Sequence, residues 1–189
     1  MRVILASASP RRIELLQMVF DNFDVLPQNV DETIHYKKPH LAVKNLARRK
    51  IEPLIYNNPD DTLIIGADTV VYFEDEYLGK PKDVEDAKHM LCALRGKEHY
   101  VYTGVAIYYN GKMTNFYVKS SVFMKDLSDE EIDEYIEKFH PLDKAGAYGI
   151  QDGGIIEKYT GSYSNIVGLP MERLSKELGK LLEDTNGEN

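Results

Sequence analysis

His99–Met124 reads HYVYTGVAIYYNGKMTNFYVKSSVFM. β-branched and aromatic residues dominate it, and Asn110-Gly111 divides it into two runs. That dipeptide is the strongest short hairpin signal, because both positions tolerate the positive φ of a tight turn. Two antiparallel strands are expected here. Upstream the pattern is different. RVILA (Arg2–Ala6) reads as a short buried strand, and Ser9 is placed to cap a helix with Pro10 in its first turn. Ile13, Leu16 and Phe20 give that helix an apolar stripe. PHLAVKNLARRKIEPLI is a second helix, expected to start near Pro39 and stop near Pro53. TLIIGADTVVYF (Thr62–Phe73) is an apolar strand interrupted by Gly66 and Asp68, and VEDAKHMLCALRG is helical up to Gly96. Downstream, Ser128 and Glu131 spell a capping box, and an amphipathic helix starts at about Met171. Alternating strands and helices followed by a hairpin imply an α/β chain with a mixed sheet rather than a purely parallel one.

The 189 residues suffice for one domain with a real core. No composition break divides the chain, so residues 1–183 read as a single domain and 184–189 as a frayed tail. No apolar run is long enough to span a bilayer, and no signal peptide opens the sequence, so a cytoplasmic location and no membrane partner are expected. Cys92 is the single cysteine; it excludes an internal disulfide and a cysteine zinc site, and its helical context reads as a small buried hydrophobe. The net charge of −8 argues against nucleic acid as a partner. A small anionic ligand needs only a few local cations or a metal.

Several stretches have the residue types to supply them. In SASPRR (Ser7–Arg12) two arginines sit at a helix N-terminus, where unpaired backbone N–H groups already favour an anion. Arg11 and Arg12 oppose the helix dipole unless an anion joins them, and their planar donors suit phosphate. The alternative is a pair of solvated first-turn residues. Asp68 in GADT interrupts an apolar strand, and a buried carboxylate needs a metal, a hydrogen-bonding turn or a cation. Lys80, between Gly79 and Pro81, is either a surface turn residue or a phosphate ligand. VDE supplies Asp31 and Glu32 between the first two helices. Glu32 and Asp68 have the hard oxygens that hold Mg²⁺ alongside substrate phosphates. Lys50 shares i, i+4, i+7 spacing with Val43 and Ala47 and so borders an apolar helix face, from which it reaches inward or snorkels. Gly146 and Gly149 allow close backbone approach, and Gln151 carries both a donor and an acceptor for a base edge.

Taken in order, SASPRR, VDE, LARRK, GADTVV, GKPKD, TGVAI, DKAGAYGIQ and GSYSNIVGLP resemble the Maf family of nucleoside triphosphate pyrophosphatases, over nearly the whole chain. The resemblance implies an inosine triphosphatase-like fold: an elongated mixed sheet flanked by helices, with a cleft between two lobes. It implies hydrolysis of a nucleoside triphosphate to a monophosphate and pyrophosphate, with a divalent metal (Mg or Mn), in a homodimer. By motif, Asp68 resembles the catalytic carboxylate, acting as base or as metal ligand. Ser7, Arg11 and Arg12 match the phosphate loop. Glu32, Lys50 and Lys80 match the other polar residues of the cleft. Thr69 and Gln151, with an arginine of the first loop, match positions tied to substrate choice. DKAGAYGIQ resembles the subgroup acting on dTTP and UTP. Ile51 and Asp152 depart from the pattern, since small residues are common there.

The chemistry of the residues is consistent with that resemblance: water attacks the α-phosphorus, pyrophosphate leaves, and cations neutralise the charge that builds on the phosphates. Two other readings are carried beside it. One is a 7-methyl-GTP pyrophosphatase, separable by nucleotide competition. The other is a nucleotide-sensing regulator of septum formation, which would bind a triphosphate and leave it intact.

Overall fold

The computed structural model describes residues 1–59 and 61–186, with side chains up to 183. Its strands are β1 (Arg2–Leu5), β2 (Asp24–Val25), β3 (Thr62–Phe73), β4 (Glu76–Leu78), β5 (Glu98–Tyr109), β6 (Lys112–Met124) and β7 (Ile156–Thr160). Its helices are α1 (Pro10–Gln17), α2 (Pro39–Ile55), α3 (Val84–Leu94), α4 (Asp129–Phe139), α5 (Tyr163–Val167) and α6 (Met171–Asn186). The hydrogen-bonded strand order is β2-β1-β3-β5-β6-β7, with β4 also paired to β3. β1 is parallel to both β2 and β3, whereas β3–β4 and β6–β7 are antiparallel. The mixed sheet expected from the sequence is present.

The chain forms two compact units: residues 1–68, 103–118 and 162–189, and residues 69–102 and 119–161. The first contains β1, β2, α1, α2, α5 and α6 with the adjoining parts of β3, β5 and β6. Its core joins Ile4, Ala6, Ala47, Ile51, Leu54, Ile64 and Ala106. Two glycines let α2 lie directly on the strands. A Cβ at Gly104 would fall 2.3 Å from the Val43 carbonyl carbon, and one at Gly66 would fall 2.5 Å from Ile51 Cγ2. Close seating of α2 is what brings its buried polar residue, Lys50, within reach of β3.

Three local expectations are corrected. Ser9 occupies the N-cap of α1, but its side chain makes no capping bond; its carbonyl accepts from Arg12 and Ile13 N–H instead. α1 stops at Gln17 and buries Leu15 and Leu16, so Phe20 lies beyond the helix and the stripe is shorter than its spacing suggested. α2 runs through Pro53 to Ile55. A proline in a last turn removes only one internal bond, and the exposed end is closed by Asn57 Nδ2 on Pro53 O (2.7 Å) and Asn58 Nδ2 on Leu54 O (2.8 Å).

The second unit holds α3, α4, β4, β7 and three 3₁₀ turns, Pro141–Asp143, Ala145–Ala147 and Ile150–Asp152, in the glycine-rich stretch. α3 is capped by Asp83, whose Oδ1 accepts from Asp86 N at 2.8 Å. α4 has the expected capping box, with Glu131 N on Ser128 Oγ (3.2 Å) and Ser128 N on Glu131 Oε2 (2.7 Å). Cys92 on α3 is half-buried rather than buried. The β5–β6 hairpin turns at Asn110 (φ 47°) and Gly111 (φ 76°), as the sequence required. α6 reaches Asn186, so residues 184–186 of the expected tail continue the helix, while 187–189 lie outside the described residues.

Candidate active site

Ser7 follows β1 and is buried. Its hydroxyl oxygen accepts from Ser9 N (3.3 Å) and from Arg12 Nη1 (3.1 Å). Arg12 Nε donates to Gly168 O at 2.9 Å, in the turn after α5. Arg12 is therefore engaged inside the unit, not a solvated first-turn residue. Burial lowers its pKa; Asp68 raises it, the neighbouring Arg11 lowers it, and Glu32 raises it. Three of the expected residues, Asp68, Arg11 and Glu32, thus act on Arg12 through space.

Lys50 joins the carboxylates. Its Nζ lies 2.5 Å from Asp68 Oδ1 and 2.9 Å from Glu32 Oε1. The Lys50 and Asp68 side chains are each 11 % exposed, so this pair is largely withdrawn from water, whereas Glu32 is 59 % exposed. Lys50 reaches inward rather than snorkelling. Glu32 sits on a loop that Arg49, one residue before Lys50, ties down: Arg49 Nη1 donates to Asp31 O at 2.9 Å and lies 3.8 Å from Asp31 Oδ2. Asp31 Oδ1 accepts from Thr33 N (2.9 Å) and Thr33 Oγ1 (2.5 Å), and those two bonds are the main reason its pKa is lowered. Arg49 and Gly168 were not singled out from sequence. Arg49 lay in the quoted LARRK, and its i−1 position to Lys50 was the available signal.

The second unit carries Thr69, Lys80 and Gln151. Thr69 is half-buried in β3; Lys80 is exposed after β4; Gln151 is exposed in the middle of the 3₁₀ turn Ile150–Asp152. Backbone ties their segments. Gly146 N donates to Gly79 O at 3.0 Å, beside Lys80. Gly146 has φ 70°, and a Cβ there would fall 2.9 Å from Val71 Cγ2, two residues after Thr69. In the same unit, the buried side chains of Tyr135 and His99 make hydrogen bonds that the sequence did not announce. His99 Nε2 meets the Tyr148 hydroxyl at 2.7 Å. Burial lowers the His99 pKa to about 4, so the imidazole is neutral near pH 7.

Among the described residues, no group of three or more His, Cys, Asp or Glu side chains is arranged to hold a metal ion. Glu32 and Asp68, meeting on one ammonium, are a pair of hard oxygen donors. Mg²⁺ commonly takes one or two protein carboxylates and completes its shell with water and phosphate oxygens, so the donor set fits such an ion.

Residues 2–181 match the family model for Maf-like proteins. The chain belongs to the Maf family. A dTTP/UTP pyrophosphatase of Agathobacter rectalis is 47 % identical, the match covering 95 % of this chain and 97 % of that protein. A dTTP/UTP pyrophosphatase of Bacillus cereus is 45 % identical, with 94 % of each chain covered. Among solved structures, a HAM1 protein from Coxiella burnetii aligns with TM-score 0.53 at 13 % identity, covering 95 % of this Maf chain and 99 % of the other. The Staphylococcus aureus Ham1 protein gives TM-score 0.50 at 15 % identity, over 67 % and 73 % of the two chains. These likenesses bear out the expected inosine triphosphatase-like fold.

Proposed function

We propose that this Maf protein hydrolyses dTTP and UTP, and modified pyrimidine nucleotides, to the monophosphate and pyrophosphate. The observation that carries the reading is the Lys50 ammonium held against Asp68 and Glu32, in the unit where Arg12 is anchored on Ser7. Relatives named dTTP/UTP pyrophosphatase at 45 and 47 % identity support the substrate class. Residues 1–183 are read as one functional domain.

In this reading the oxygen of a water molecule attacks the α-phosphorus. The bond from that phosphorus to the oxygen bridging the β-phosphorus breaks, and pyrophosphate leaves. Asp68 takes the water's proton on its carboxylate, and Lys50 orients that carboxylate. Arg11, Arg12, Lys50 and Lys80 bind the phosphates and offset the charge that develops, and Ser7 adds a hydroxyl donor. A preorganised set of donors contributes most where water is excluded. Glu32 and Asp68 would hold a divalent ion, Mg²⁺ or Mn²⁺, which when bound supplies Lewis-acid neutralisation of phosphate charge. Thr69 and Gln151 select the base. The net charge of −8 favours a free nucleotide over nucleic acid. No described helix is long and apolar enough to cross a membrane. The family resemblance supports a homodimer in the cytoplasm, and sedimentation of the purified chain tests the dimer.

Pyrophosphate release from dTTP, UTP, 7-methyl-GTP and ITP, with and without Mg²⁺ or Mn²⁺, tests the function. Metal-dependent release from dTTP and UTP is expected to be fastest. Release from 7-methyl-GTP alone would move the substrate, and binding without release would make the protein a sensor.

A further inference from the structure

Gln151 stands in a turn that is gripped at both ends by one buried side chain. Tyr135, on α4, is 4 % exposed. Its hydroxyl accepts from Gly149 N at 3.0 Å and donates to Asp152 Oδ2 at 2.6 Å. Gly149 enters the turn and Asp152 closes it, so the two bonds bracket Ile150 and Gln151. Lys144 Nζ lies 3.9 Å from the same Asp152 oxygen and is only 13 % exposed. The bracket leaves no room for a side chain at its mouth: a Cβ on Gly149 would fall 2.8 Å from Asp152 Oδ2 and 3.0 Å from Lys144 Cε. Burial, and then the hydrogen bond to Asp152, raise the Tyr135 pKa. The hydroxyl keeps its proton and can donate and accept at once. Asp152, the departure from the family pattern noted in the sequence, is thus the acceptor that completes the grip.

We propose that Tyr135 and Asp152 are positioning residues for base selection: together they fix the turn so that the Gln151 amide meets a pyrimidine edge in one orientation. The inference rests on the pyrophosphatase reading, with Gln151 as the residue that meets the base. A carboxamide has a donor on one side and an acceptor on the other. On a loose turn it adapts to either edge pattern; on a fixed turn a mismatched base leaves one of its groups unpaired. Site groups lose selectivity when their support lets them drift by a fraction of an ångström.

The test is steady-state pyrophosphate release by the full chain, comparing kcat/KM for dTTP with that for ITP. Tyr135→Phe removes both bonds at nearly constant volume. It is expected to raise KM for dTTP about tenfold with kcat within about twofold, and to lower the dTTP-to-ITP preference about tenfold. Asp152→Asn keeps an oxygen that accepts from Tyr135 and should hold the preference within about twofold of the unmodified chain, whereas Asp152→Ala should reproduce the Tyr135→Phe loss. If Tyr135→Phe does not fold, the two Asp152 variants decide. Amide exchange at Gly149 should accelerate in Tyr135→Phe, a readout independent of turnover. An unchanged preference in Tyr135→Phe and Asp152→Ala overturns the proposal, as does an equal fall in kcat on every triphosphate. A Gln151→Ala chain with unaltered preference also overturns it. No release by the unmodified chain from any triphosphate instead removes the pyrophosphatase reading itself, and this inference with it.

Discussion

Lys50 secures Asp68 and Glu32 in the first unit with charge, and Tyr135 secures the turn around Gln151 in the second with a neutral hydroxyl. The ammonium holds Asp68 and Glu32 at 2.5 and 2.9 Å. The phenol holds Gly149 and Asp152 at 3.0 and 2.6 Å. Each reaches two partners from a helix. The two grips differ in charge. In the first an ammonium meets carboxylates where partial burial strengthens their fields. In the second a phenol, neutral near pH 7, joins a backbone N–H to the Asp152 carboxylate.

The contrast is broken hardest at Asp68. Asp68→Asn should lower kcat by about 10²–10⁴-fold while circular dichroism and the unfolding midpoint show a folded chain. Full activity in that variant would remove Asp68 from the chemistry. Next comes Lys50→Met, which strands Asp68 in a site where it is only 11 % exposed. Loss of one partner from a buried pair costs about 3–5 kcal/mol, to be read from urea unfolding; Tyr135→Phe, which leaves Lys144 Nζ still 3.9 Å from the Asp152 carboxylate, should cost less.

The neutral side carries a pH signature of its own. His99 has an ordinary pKa of 6.5 when unfolded and about 4 when folded, because burial penalises its charged form. The unfolded chain therefore binds the proton first, and stability is intact above pH 6.5 and falls as the pH drops toward about 4. The loss from this group is about 3 kcal/mol. Urea unfolding from pH 7 to pH 4 should show it, and His99→Gln should flatten that part of the profile. The smallest effect concerns the seat of Lys50. Gly104→Ala forces a methyl group against the α2 backbone at Val43. It should cost about 1–3 kcal/mol and displace Lys50 enough to lower turnover, while the unfolding profile with pH stays that of the unmodified chain.

The same division explains what the sequence made legible. The hairpin turn at Asn110-Gly111, the capping box at Ser128 and the polar break at Asp68 announce themselves because local chemistry demands those residues there. So do Arg11 and Arg12, which are unfavourable at a helix start without an anion. Pro53 misled because the carbonyls beyond it are closed by two asparagines, a compensation that composition does not reveal. Tyr135 was invisible for a related reason. A tyrosine on an apolar helix face reads as core, and only the fold shows that its hydroxyl meets Gly149 and Asp152. Arg49 was hidden by its more conspicuous neighbour, Lys50.

The bond from Arg12 to Gly168 joins residues 156 positions apart. During synthesis, at about 5–20 residues per second, the arginine waits roughly 8–30 seconds for its carbonyl partner. A nascent chain that has not yet passed Gly168 has Ser7, Lys50 and Asp68 but an Arg12 without that anchor. A chain that stops short of Gly168 therefore lacks the carbonyl that holds Arg12 Nε, although Ser7, Lys50 and Asp68 are all present.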